Sequence, residues 1–101
     1  MIAQFKIFPI GKGESLSSFV AECVFIVENS GLHYQLTPMS TILEGDYDEV
    51  MGVIKKCRDR LLELSDRVAI SIEIDDRKGR SDAMTQKVLS VQEKLAKKKK
   101  R

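Results

Sequence analysis

Apolar and polar residues alternate in "IAQFKIFPI", where Ala3, Phe5 and Ile7 stand against Gln4 and Lys6. That period of two predicts a half-buried strand. After the loop "GKGES" the period changes. Leu16, Phe19, Val20, Cys23 and Val27 share one helical face, predicting a helix to about Glu28 with Ser15 as its N-cap. Gly31 suits the end of that helix, where left-handed backbone is wanted. Alternation returns in "LHYQLT", with Leu32, Tyr34 and Leu36 on one side and His33, Gln35 and Thr37 on the other. Pro38 interrupts it, and "STILEG" reads as a short third strand. Asp46 with Glu49 makes a capping-box-like start to a second helix, whose inward stripe is Val50, Ile54, Cys57, Leu61 and Leu64. "RVAISIEID" is the clearest strand, with Val68, Ile70, Ile72 and Ile74 on one face. A last helix, from about Ser81 to Ala96, carries Met84, Val88, Val91 and Leu95.

The order is β-α-β-β-α-β plus a C-terminal helix. Right-handed crossovers then place both main helices on one face of a four-stranded antiparallel sheet, an α+β, ferredoxin-like arrangement. One domain over residues 1–96 follows, with residues 97–101 as a basic, disordered tail. The other sheet face is left uncovered. Its side chains are Gln4, Lys6, Phe8, His33, Gln35, Thr37, Ala69, Ser71 and Glu73, with Ile2 beside them. Such a face meets water, or meets a second subunit across a polar cavity. The narrow stripe on the last helix resembles an association seam. Both features point to a homo-oligomer, and edge strands pairing across a two-fold axis give one route to it.

Composition narrows the function classes. The chain has 101 residues, enough for one core and too few for two ordinary domains. No apolar run approaches the roughly 18 residues needed to span a bilayer, and Gln4, Lys6 and Pro9 break any signal-peptide pattern near the start. A cytoplasmic protein without membrane contact is the expectation. Cys23 and Cys57 lie far apart among apolar residues and read as reduced core thiols. His33 is the sole histidine, so neither a metal site nor a histidine-paired nucleophile is well supplied. The formal charge of +2 is misleading, because "KKKKR" holds five of the 17 basic residues and the other 12 face 15 acids. An acidic body suits small cations better than nucleic acid.

Three stretches invite a site. "GKGES" precedes a helix but lacks the Gly-Lys-Ser/Thr of a phosphate loop, and a flexible turn accounts for it. Asp75 and Asp76 are adjacent on a strand and point to opposite faces, a poor acid–base pair. In "PMSTILEGD", Thr37, Ser40, Thr41 and Glu44 put hydroxyls and a carboxylate around one hairpin. They suit a ligand site, and they equally suit a Pro-led bend whose small polar residues serve the turn. His33, Tyr34 and Phe8 add a ring donor and two π-faces to the candidate ligand-binding set.

"SLSSFVA", "GLHYQLTPMSTILEGD" and "IEIDDRKG", in this order over nearly the whole chain, resemble the thiamine-binding protein family, the YkoF-like group of small ferredoxin-like proteins. The resemblance implies a non-enzymatic protein that pairs through its sheet, as a dimer or a dimer of dimers. It implies a ligand in thiamine or its hydroxymethylpyrimidine part, with no catalytic residue, metal or cofactor. Pro9, Tyr34, Ser40, Thr41, Glu44 and Gly45 are the matching positions. Glu44 would pair with the aminopyrimidine edge, Ser40 and Thr41 would answer ring nitrogens, and Phe8 or Tyr34 would face the thiazolium. Three alternatives remain. One is an oligomer with a different small ligand or a regulatory role. A second is a small acylphosphatase-like enzyme, against which stands a first loop with Lys12 and no arginine. The third is an RNA-binding module, against which stand third and last strands without exposed aromatics.

Overall fold

The computed structural model describes residues 1–13 and 16–100. It contains β1 (Ile2–Pro9), α1 (Ser17–Asn29), β2 (His33–Leu36), β3 (Thr41–Glu44), α2 (Tyr47–Leu64), β4 (Val68–Asp75) and α3 (Ala83–Lys99). The strands form one antiparallel sheet in the order β2-β3-β1-β4, the ferredoxin-like arrangement. β1 is central. It pairs with β3 from Ile2↔Glu44 to Phe5↔Thr41, and with β4 over its whole length from Ile2↔Asp75 to Pro9↔Val68.

The period-two pattern decides which side of β1 is core. Ala3, Phe5 and Ile7 are buried on the helix side and meet Leu43 of β3. From above, α1 supplies Cys23 and Val27, and α2 supplies Val50, Val53, Ile54, Cys57 and Leu61. The two helices are also joined at their rim, where the Arg60 guanidinium donates to Glu22 through Nε at 3.1 Å and Nη2 at 3.3 Å.

Local signals behave as their chemistry requires. The Glu49 carboxylate accepts the Asp46 N–H at 3.0 Å, the return arm of a capping box that starts α2. Gly31 follows α1 with φ +76°, where a side chain would be strained. A Cβ on Gly45 would come within 3.2 Å of Leu32 Cδ2, so a larger residue at the turn from β3 into α2 would push the Leu32 side chain aside. The N-cap expected at Ser15 lies outside the described residues; Leu16 precedes α1, and its carbonyl accepts the Phe19 and Val20 N–H groups.

Two expectations are corrected. Ile70, Ile72 and Ile74 do share the core face, being partners of Ile7, Phe5 and Ala3, yet they are 38%, 36% and 45% exposed. β4 is an edge strand, and α1 and α2 lie over the strands beside it. The tail expected to be disordered from residue 97 continues α3 through Lys99, because lysines suit the negative C-terminal end of a helix. Arg101 lies outside the described residues. Beyond Ala83 and Met84, α3 is exposed along its length, with Val88, Leu89, Val91 and Leu95 facing solvent.

The core reading gives a direct test. Leu43 is fully buried, so Leu43→Ala is expected to cost about 2–5 kcal/mol in urea unfolding, whereas Met39→Ala, at an exposed hairpin position, stays within about 0.5 kcal/mol.

Candidate ligand-binding site

Strand register assigns each polar candidate to a face. Because paired residues point the same way, the open face is built in rows: His33, Glu44, Ile2 and Asp75; then Gln35, Ile42, Gln4 and Glu73; then Lys6 with Ser71; then Phe8 with Ala69. A cavity of about 210 Å³ sits on this face, lined by Gln4, Lys6, Met39, Ser40, Ser71 and Glu73. A second of similar size adjoins it along Ile2, Gln4, Ile42, Glu73 and Asp75. Gln4 and Glu73 line both. Ser40 Oγ donates to Gln4 Oε1 at 3.0 Å, which fixes the amide's orientation and leaves its NH₂ for a ligand.

The hairpin residues divide in a way that adjacency in sequence conceals. Ser40 lines the open-face cavity, while Thr41 is buried on the core side, against the underside of α1. Tyr34, the partner of Leu43, also lies on the helix side and packs on the core. Thr37 serves its own turn: Oγ1 donates to the Ser40 carbonyl at 2.9 Å and accepts the Ser40 and Met39 N–H groups at 3.1 and 3.3 Å. Phe8 and His33 share the open face but stand at its two ends.

Glu44 has a structural task. Its side chain is 10% exposed, and it accepts the Ala83 N–H at 2.5 Å through Oε2 and the Met84 N–H at 3.4 Å through Oε1. It thereby caps α3 from β3, supplying negative charge to the positive end of that helix. His33 Nδ1 stands 3.9 Å from Glu44 Oε1. Farther along α3, Lys87 pairs with Asp75, and this ammonium holds the Asp75 carboxyl below the usual carboxylate range. The carboxylate that faces the cavity is instead Glu73. With Gln4, Ser71 and Lys6, it belongs to the uncovered face that strand alternation marks, and not to the polar cluster of the hairpin.

Cys23 and Cys57 are free and buried between α1 and α2. Hydrogen bonding to Cys23 and burial hold the Cys57 thiol above its ordinary range, which makes it a poor nucleophile. Among the described residues no helix is long and apolar enough to cross a membrane.

Glu44→Ala is expected to cost about 1–3 kcal/mol at the root of α3 and to speed amide exchange at Ala83 and Met84. Unchanged protection at those two amides would remove the cap.

The sequence profile of the family described as thiamine-binding protein matches residues 3–92. A UPF0045 protein of Mycobacterium bovis is 38% identical over 93 residues, covering 91% of each chain. The solved structure of a hypothetical protein from Methanocaldococcus jannaschii superposes with a TM-score of 0.84 at 33% identity, covering 91% of this chain and 95% of that one. A Thermotoga maritima structure, provisionally assigned to thiamine biosynthesis or salvage, shares the fold with a TM-score of 0.73 at 20% identity over 83% of this chain and 91% of that one.

Proposed function

The chain belongs to the thiamine-binding protein family, and from that premise we propose that it binds thiamine or its hydroxymethylpyrimidine part without catalysis, on the open face of its sheet. The observation that carries this reading is the open-face cavity, where Gln4, Ser40, Ser71 and Glu73 bring polar groups to a lining that also includes Phe5 and Met39. An aminopyrimidine both donates and accepts hydrogen bonds, and this set does the same. Glu73 takes the amino edge, the Gln4 NH₂ and the Ser71 hydroxyl answer ring nitrogens, and Met39 offers a polarisable apolar wall. Lys6 is the one cation among the lining residues, too little charge for a diphosphate, so free thiamine or the pyrimidine alone fits better. The provisional thiamine assignment of the Thermotoga maritima protein is in keeping with this ligand class.

Within this reading, Ser40 keeps the ligand-contacting role expected of it, and Phe8 stands on the same face one row beyond the cavity, without lining it. Glu44, Thr37, Thr41, Tyr34 and His33 hold or flank the site without lining the cavity. Isothermal titration with hydroxymethylpyrimidine and thiamine tests it. Glu73→Gln should weaken binding about tenfold or more, the loss of one charge-assisted hydrogen bond, while Thr41→Val leaves affinity unchanged. A folded protein that gives no heat with either compound at millimolar concentration overturns the proposal.

We infer further that a second copy of the chain pairs along β4, the strand that supplies Ser71 and Glu73 to the cavity. Among the described residues β4 pairs only with β1, so an eight-residue edge is open, with Ile70, Ile72 and Ile74 exposed beside it, and α3 carries an exposed apolar stripe of its own. A two-fold pairing of these edges satisfies the open hydrogen-bonding row and sets the two open faces side by side in one continuous sheet. Ile72→Asp combined with Val91→Asp should give a folded monomer by analytical ultracentrifugation where the unaltered chain is a dimer or larger. A monomer in the unaltered chain contradicts the assembly.

A further inference from the structure

We propose that His33, Glu44 and Asp82 form a divalent-cation site, with zinc as the best-suited ion, at the junction of the sheet and α3. One ligand atom from each of the three residues lies within 4.8 Å of the other two. The residues come from three elements. His33 and Glu44 are direct cross-strand partners on β2 and β3, and Asp82 immediately precedes α3. One imidazole nitrogen and two carboxylate oxygens make a mixed donor set that suits zinc, with remaining positions left to water or to a ligand. Donor atoms on one such ion sit about 3.0–3.5 Å apart, given bonds of about 2.1 Å. Nδ1 of His33 and Oε1 of Glu44 are already at 3.9 Å. The small closure that remains falls to Asp82 and His33, both of which are exposed.

The neighbouring helix start does not turn this into an anion site. Glu44 already answers the Ala83 N–H through Oε2, a strong contact at 2.5 Å. Its Oε1 has only a 3.4 Å contact with the Met84 N–H and faces His33. The Glu44 side chain is nine-tenths buried, and its Oε1 lies between the Met84 N–H and His33 Nδ1. Asp82 brings a second carboxylate close to the first, at φ +56°, a conformation an aspartate adopts more readily than most side chains. Beyond the helix end, therefore, two carboxylates and an imidazole converge. Lys87, the nearby cation on α3, is paired with Asp75. An ion held here would tie β2 and β3 to the root of α3 and so fix the direction in which that exposed helix leaves the sheet.

Because His33 is the sole histidine, its ring resonances report the site without ambiguity. The full chain, freed of metal with a chelator, would be titrated with Zn²⁺ and followed by NMR, and with Co²⁺ followed by its visible ligand-field bands. One equivalent of Zn²⁺ should shift the His33 ring signals, and Co²⁺ should develop bands of low coordination number. His33→Gln and Asp82→Asn should each weaken binding by tenfold or more with the helical circular dichroism unchanged; asparagine also accepts the left-handed backbone at position 82. A His33 ring unmoved by equimolar Zn²⁺ overturns the site. So does full affinity in His33→Gln, which would place the ion on Cys23 and Cys57 or on surface carboxylates. Thiamine binding on the neighbouring cavity reads out separately, so either inference can fail alone.

Discussion

The pairing of β1 with β3 on one side and β4 on the other is the constraint on which the rest of the molecule depends. With β1 fixed at the centre, alternation along eight residues sends Ala3, Phe5 and Ile7 under the helices and Gln4, Lys6 and Phe8 to the open face. A slip of one residue would exchange the two sets, placing Lys6 in the core. Every polar candidate inherits its face from this register. Ser71 and Glu73 are functional candidates because they oppose Lys6 and Gln4, and Thr41 is a core residue because it opposes Phe5.

The same constraint explains why the helix-covered half and the open half differ so much in character. On the covered side, α1 and α2 close over β1 and β3 with buried aliphatic side chains, and the fold is satisfied there. Toward β4, cover runs out. An apolar row of isoleucines stands exposed next to a strand edge that is unpaired among the described residues, and α3 exposes an apolar stripe. The open-face cavity carries the proposed ligand site, and the apolar margin carries the proposed contact with a second copy.

Much of this was legible in the sequence. The seven elements and their order follow from period-two and helical patterns, and Gly31, Gly45 and Asp46–Glu49 announce their turns and cap. The open face was also legible, since it is the complement of the core positions. What escaped was tertiary. Nothing local to "PMSTILEGD" says that Glu44 meets backbone amides 39 and 40 residues later, or that Ser40 and Thr41 look to opposite sides of a sheet. The isoleucines of β4 repeat the core pattern faithfully, and only the position of that strand at the sheet's edge leaves them uncovered. The lysines after Ala96 read as a solvated end, and as helix-compatible residues they extend α3 instead.

The central claim is that the ligand lies on the open face and not on the core side of the hairpin or beneath α1. Amide chemical-shift mapping during titration with hydroxymethylpyrimidine tests it most directly. The largest shifts are predicted at Gln4, Ser40, Ser71 and Glu73, with Tyr34, Cys23 and the α1 residues near Val20 unmoved. Shifts confined to α1 and the core side of the hairpin, with Ser71 and Glu73 silent, would contradict the account.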